Sequence, residues 1–173
     1  MDKGKVIMCL CDKQKKTELK LAKVSYHSKK NAWLLREKYY YKDEDKKSTI
    51  ILDECFSFDL SSIPRLLWII VGIHELSIEA PLIHDFMYMS RGGKQKCFNN
   101  KPILGKIEGT FYSRKEADNL FFKMMAEAGI KPYRIFLGYY GVRIFGIIYW
   151  RPNWLENFFQ KLNGKKVDEC QYQ

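Results

Sequence analysis

Ser113-Arg114-Lys115-Glu116-Ala117-Asp118-Asn119-Leu120-Phe121-Phe122-Lys123-Met124-Met125-Ala126-Glu127-Ala128-Gly129 is the stretch on which the fold turns. A Ser followed three residues later by Glu marks a capping box, in which each side chain satisfies a backbone N–H that the first helical turn leaves orphaned. Gly129 supplies the small residue that commonly closes a helix. Between these ends Ala117, Leu120, Phe121, Met124 and Ala128 recur at helical spacing, which predicts a helix over 113–128 with one apolar face. Asp118 lies at the margin of that face, with Phe121 and Phe122 a turn further on. An acid placed there has to find a partner.

Upstream, His84-Asp85-Phe86-Met87-Tyr88 falls in a second predicted helix, Ser77–Met89, with Ser77 near its N-cap and Pro81 in its first turns. His84, Asp85 and Tyr88 then share about one turn. A histidine beside one carboxylate, with a second carboxylate arriving from another helix, is what water activation needs. The imidazole takes the proton, one acid orients the ring, and the other can hold a metal. The same residues also suit a buried structural network, in which Arg65 pairs with Asp85 or Asp118. Both readings place Asp118 within hydrogen-bond reach of His84 or Arg65. Asp59, ahead of Ser61-Ser62, caps the helix expected at Leu66–Val71 or joins Asp85 as a metal ligand.

Further out, Tyr133 to Trp150 is mostly apolar, flanked by Pro132 and Pro152, and interrupted by Arg134 and Arg143. A spanning helix wants about 20 apolar residues with few charges. The stretch reads instead as a buried helix notched by Gly138, Gly141 and Gly146, with Tyr139, Tyr140, Phe145, Tyr149 and Trp150 in the core. Trp154–Leu162 reads as a last helix. Before residue 58 the pattern changes to short strands: Val6–Leu10, Leu19–Tyr26, Ala32–Leu35, Lys38–Tyr41, Thr49–Leu52 and an extended piece at Phe56–Asp59. Lys42-Asp43-Glu44-Asp45-Lys46-Lys47 reads as a hairpin tip. Gly and Asn punctuate residues 90–111, which read as a loop or small hairpin.

The expected fold is therefore α+β, a small N-terminal antiparallel sheet with a C-terminal helical core. The 173 residues are expected to form a single domain: a strand-rich basic part over 1–58, a helical part over 59–163 that carries the motifs, and a frayed tail over 164–173. The formal net charge is +10, of which residues 1–47 hold 14 basic against 7 acidic side chains. That excess makes polyanions or anionic lipid candidate partners of the N-terminal part. Arg and aromatic residues do not interleave in a pattern for base readout. The five cysteines include no CxxC, and reduced thiols in the cytoplasm are expected. Val6 to Leu10 is too short for a signal-peptide core.

Asp59-Leu60-Ser61-Ser62-Ile63-Pro64-Arg65, Trp68, His84-Asp85-Phe86-Met87-Tyr88 and Ser113-Arg114-Lys115-Glu116-Ala117-Asp118-Asn119-Leu120-Phe121 resemble, in order, the motifs of an uncharacterised domain family of tailed bacteriophages and prophages. The resemblance covers roughly residues 50–150. It implies a phage protein at work in the host cytoplasm or in the virion, with Ser62 and Arg65 among its motif residues. The H-D-x-x-Y helix followed by A-D-x-x-F is also similar to the core of phospholipases A2. That similarity implies His84 as general base, Asp85 as ligand of a calcium ion, Asp118 as the acid that orients His84, and Tyr88 in support. The glycine-rich calcium loop of those enzymes has no counterpart here beyond Val71-Gly72-Ile73 and the Asp59–Arg65 motif. His74, His84-Asp85 and Asp118 follow the ligand order of HD phosphohydrolases, although the strand-like first third does not fit that helical superfamily. Two functions follow. One is a metal-dependent hydrolase of ester or phosphoester bonds. The other is a non-enzymatic virion or host-interaction protein, active in counter-defence, in which the His/Asp cluster is structural.

Overall fold

A computed structural model describes residues 19–30, 32–58, 77–98 and 101–150. The expected strand Val6–Leu10, the helices Leu66–Val71 and Trp154–Leu162, and the candidate residues Asp59, Ser62, Arg65 and His74 lie outside them. What is described is α+β. Strands β1 (Val24–His27), β2 (Ala32–Leu35) and β5 (Ser57–Phe58) form one antiparallel sheet in the order β1-β2-β5. Strands β3 (Tyr39–Asp43), β4 (Ser48–Leu52) and β8 (Gly105–Glu108) form a second in the order β3-β4-β8, and β6 (Cys97–Phe98) pairs with β7 (Lys101–Pro102). Helices α1 (Glu79–Met89), α2 (Arg114–Glu127) and α3 (Pro132–Tyr149) complete the set.

The β3–β4 hairpin shows why the sheet forms. Tyr39, Tyr41 and Asp43 are buried while Tyr40 and Lys42 are exposed, the two-residue alternation of a half-buried strand. Its register sets Tyr39 against Leu52 and Tyr41 against Ile50, so the large apolar side chains share the inner face. The hairpin tip is shorter than the sequence suggests, because β3 continues through Asp43. The buried Asp43 accepts hydrogen bonds from the Tyr112 hydroxyl at 2.8 Å and the Lys123 ammonium at 3.2 Å. Those bonds tie the sheet to α2 and its approach.

Helix α2 begins and ends as its sequence predicts. The Ser113 side chain accepts from the Glu116 N–H and Glu116 accepts from the Ser113 N–H, completing the capping box. Gly129 follows at φ 75°. Helix α1 differs at its start. Its N-cap is Ile78, and Ser77 instead donates its hydroxyl to the carboxylate of Glu79, which is buried and also accepts the Ala22 N–H at 2.8 Å. The end of α1 is fixed by Gly92, whose N–H donates to Met87 and whose carbonyl accepts from Tyr112. At φ +69°, and with the position of a Cβ 1.9 Å from the Tyr112 oxygen, only glycine fits there. This joint sets α1 and α2 beside each other.

The core runs from Leu35, Ile50, Leu52 and Phe58 of the sheets to Phe86 and Met87 of α1 and Phe121 and Met124 of α2. Helix α3 corrects an expectation. Ile135 and Val142 are buried, but Tyr140, Phe145 and Tyr149, expected in the core, are 58%, 43% and 55% exposed. The thiols also depart from expectation at Cys97, which is disulfide-bonded, whereas Cys55 is free and exposed.

Candidate functional site

Asp118 is the centre of a buried polar cluster built by all three helices. It is 0% exposed on α2. Its Oδ1 meets His84 Nε2 of α1 at 3.1 Å and accepts from the Tyr88 hydroxyl at 2.7 Å. Its Oδ2 accepts from the Arg143 guanidinium of α3 at 2.8 Å. Arg114, one turn before Asp118 on α2, reaches within 3.8 Å of the same Oδ2 and donates to the Tyr88 hydroxyl at 3.4 Å. Arg114 also donates to the main-chain carbonyl of Arg143. Gly146 makes this convergence possible. A Cβ there would stand 2.3 Å from the Tyr88 oxygen, so α3 can approach α1 only without a side chain at that position.

Charge in the cluster follows from its surroundings. Burial alone pushes the Asp118 carboxyl up, but hydrogen bonds from His84, Arg143 and Tyr88 together outweigh it and hold the group below the ordinary carboxylate value. Asp118 is thus ionised. His84 is 2% exposed, its ring set 4.3 Å from that of Tyr88 and 4.9 Å from that of Phe121. That burial lowers its pKa despite the carboxylate beside it, so the imidazole is neutral. An ionised carboxylate only accepts, so Nε2 carries the proton and Nδ1 carries the lone pair. Burial also raises the Tyr88 phenol, which remains a donor.

The structure therefore brings together three of the residues singled out in the sequence, His84, Tyr88 and Asp118. Asp85 is buried on α1 at 3% exposure, one position from His84 and so about 100° further round the helix. Among the described residues no group of three or more His, Cys, Asp or Glu side chains is placed to hold a metal ion. Sequence reasoning missed Arg143 and Arg114. Arg143 had a signal: a lone cation deep in an apolar helix, which must meet an acid or reach water. Arg114 had one as well, four residues before Asp118 on a helix.

The model of a family described as proteins of unknown function, DUF1353, matches residues 33–142. The chain belongs to this family. The matched stretch starts in β2 and carries His84, Tyr88, Arg114 and Asp118, and it stops one residue short of Arg143. Neither a curated protein nor a solved structure matches the chain.

Proposed function

We propose that this DUF1353 protein hydrolyses ester or phosphoester bonds, with neutral His84 as general base and Asp118 as the group that orients it. One observation carries the reading. The Nε2 edge of the ring is committed to an ionised carboxylate, itself fixed by Tyr88 and Arg143, which leaves Nδ1 with a lone pair in a set direction. Nδ1 would take a proton from water as its oxygen attacks the carbonyl carbon or phosphorus. The imidazolium would then return that proton to the leaving oxygen. Asp118 stays ionised throughout and stabilises the transient imidazolium. His84, Tyr88 and Asp118 are also the residues that the likeness to phospholipases A2 assigns to one centre.

The described residues do not by themselves fit the calcium ion that this likeness implies. Of the two expected ligands Asp85 is described and Asp59 lies outside the described residues, and among these no group of three or more His, Cys, Asp or Glu side chains is placed to hold a metal. The likeness to bacteriophage and prophage sequences would place the reaction in the host cytoplasm or the virion.

A second reading has its own observation. His84 and Asp118 are 2% and 0% exposed, and both Asp118 oxygens are hydrogen-bonded. A satisfied buried network can lock three helices without doing chemistry. The chain would then be a non-enzymatic virion or host-interaction protein. Aryl esters and phosphodiesters, each with calcium and with chelator, separate the two. His84→Gln is expected to lower kcat/KM by about 10²–10⁴-fold, with the melting temperature largely kept. Wild-type protein that turns over none of these substrates would end the hydrolase reading.

A further inference from the structure

We infer that the outer face of α3 is a docking surface for a membrane containing anionic phospholipid. Tyr133, Phe136, Tyr140, Ile144 and Ile147 fall at i, i+3, i+7, i+11 and i+14, one stripe of a helix, and each is at least 51% exposed. No charged residue stands in this stripe. Scattered exposed apolar residues need no explanation, but a continuous stripe four turns long is the mark of a surface with a partner. Among the described residues no helix is long and apolar enough to cross a membrane, so the face would lie on the bilayer.

Charge selects the occupant. From Lys131 to Trp150 the charged residues are Lys131, Arg134 and Arg143, with no acid among them. Arg143 turns inward to Asp118. Lys131 is exposed at the start of the helix, beside the positive end of its dipole, and Arg134 lies 5.6 Å from the centre of the Tyr133 ring. The chain as a whole carries +10. Anionic headgroups are attracted by that balance, and the tyrosines are side chains suited to the headgroup level. A second copy presenting the same face would bring two strongly basic chains together, with no acid on this stretch of helix to offset their charge. Such docking needs only the exposed face of α3 and does not depend on the chain being a hydrolase.

Co-sedimentation of the full chain with phosphatidylcholine vesicles, and with vesicles of mixed phosphatidylcholine and phosphatidylglycerol, tests it. The wild type should bind the mixed vesicles more tightly, and salt should weaken that preference. Ile144→Gln with Ile147→Gln, both at exposed positions, should reduce partitioning on the order of tenfold for each residue replaced. Tyr40→Gln, at an exposed site on β3, should leave it unchanged. Circular dichroism checks that each variant is folded. Absence of binding to mixed vesicles at low ionic strength overturns the proposal, as does equal binding by the double variant. Self-association of the wild type that the double variant abolishes, without vesicle binding, overturns it in favour of a second copy.

Discussion

Helices α1 and α3 are both apolar nearly all the way round, yet they meet opposite surroundings. Every residue of α1 from Glu79 to Tyr88 is buried, including His84 and Asp85. Helix α3 turns inward Ile135, Gly138, Gly141, Val142 and Gly146, whereas Tyr133, Phe136, Tyr140, Ile144, Phe145 and Ile147 are exposed. Glycines on the inner face bring the α3 backbone close to α1 and α2, so Arg143 can reach Asp118 and Tyr88 can fill the space a side chain would take. An apolar sequence thus fixes that a helix needs apolar neighbours, and the positions of its glycines decide which face the rest of the protein supplies.

The largest effects should come from the α1 side of this comparison. Asp118→Ala removes the partner of His84, Tyr88 and Arg143 together, and is expected to cost about 3–5 kcal/mol in urea unfolding, as for a broken buried ion pair. Phe86, at 0% exposure on α1, should cost a similar amount, about 3–5 kcal/mol, when cut to Ala. Asp118→Ala costing less than about 1 kcal/mol would mean the cluster holds no helices together.

Next come the two notches of α3, which separate close approach from mere smallness. Gly146→Ala sets a Cβ 2.3 Å from the Tyr88 oxygen and should destabilise by about 1–3 kcal/mol through overpacking. Gly138→Ala meets the flexible end of Met125 at 3.3 Å and the Phe121 ring at an ordinary contact distance of 3.7 Å. There the better helix propensity of alanine, worth about 1 kcal/mol, should leave stability unchanged or raised. Equal costs at both sites would break the claim that Gly146 is what lets α3 reach the cluster.

A smaller effect should be seen with pH. Burial holds the folded His84 below its ordinary value of 6.5. Between that value and the lowered one the unfolded chain takes up a proton that the folded chain refuses, so stability falls as pH drops through this window. Asp118 adds a second loss further into acid, since its folded pKa lies below the ordinary 3.8 and the unfolded carboxylate protonates first. Urea midpoints followed from neutral pH downward should show both losses, and His84→Gln should remove the first. An unchanged first limb in that variant would show that another group causes it.

Much of this was legible in the residues. Helix α2 announced itself through Ser113, Glu116 and Gly129 because capping and closure are local chemistry, decided within a turn of chain. The meeting of His84 with Asp118 was legible because an acid on an apolar face must be paired. Two features were not. The N-cap of α1 moved to Ile78 because Glu79, buried against Ala22, draws the Ser77 hydroxyl to itself, a contact across 57 residues that no local pattern encodes. The exposure of α3 was hidden because periodicity reports which residues share a face but not whether anything lies opposite. Arg143 was the clue: an inward cation on one side means the apolar side chains opposite it point out.

The smallest effect is expected on that outward face, and it tests the comparison most directly. Ile144 is 63% exposed. A side chain largely in water already has little transfer energy to lose, so Ile144→Gln should change the unfolding free energy of the free protein by no more than about 0.5 kcal/mol. The same kind of replacement on α1, Ile83→Gln at 1% exposure, buries an amide without a built partner and should cost several-fold more, about 2–4 kcal/mol. The two variants are therefore measured side by side in urea at several protein concentrations. A cost at Ile144 near that at Ile83, and growing with concentration, would mean that α3 is covered in solution by another copy of the chain. The contrast between the two helices would then belong to the isolated protomer alone. A small, concentration-independent cost keeps the contrast as a property of the folded chain, because only a face already in water can exchange isoleucine for glutamine at so little expense.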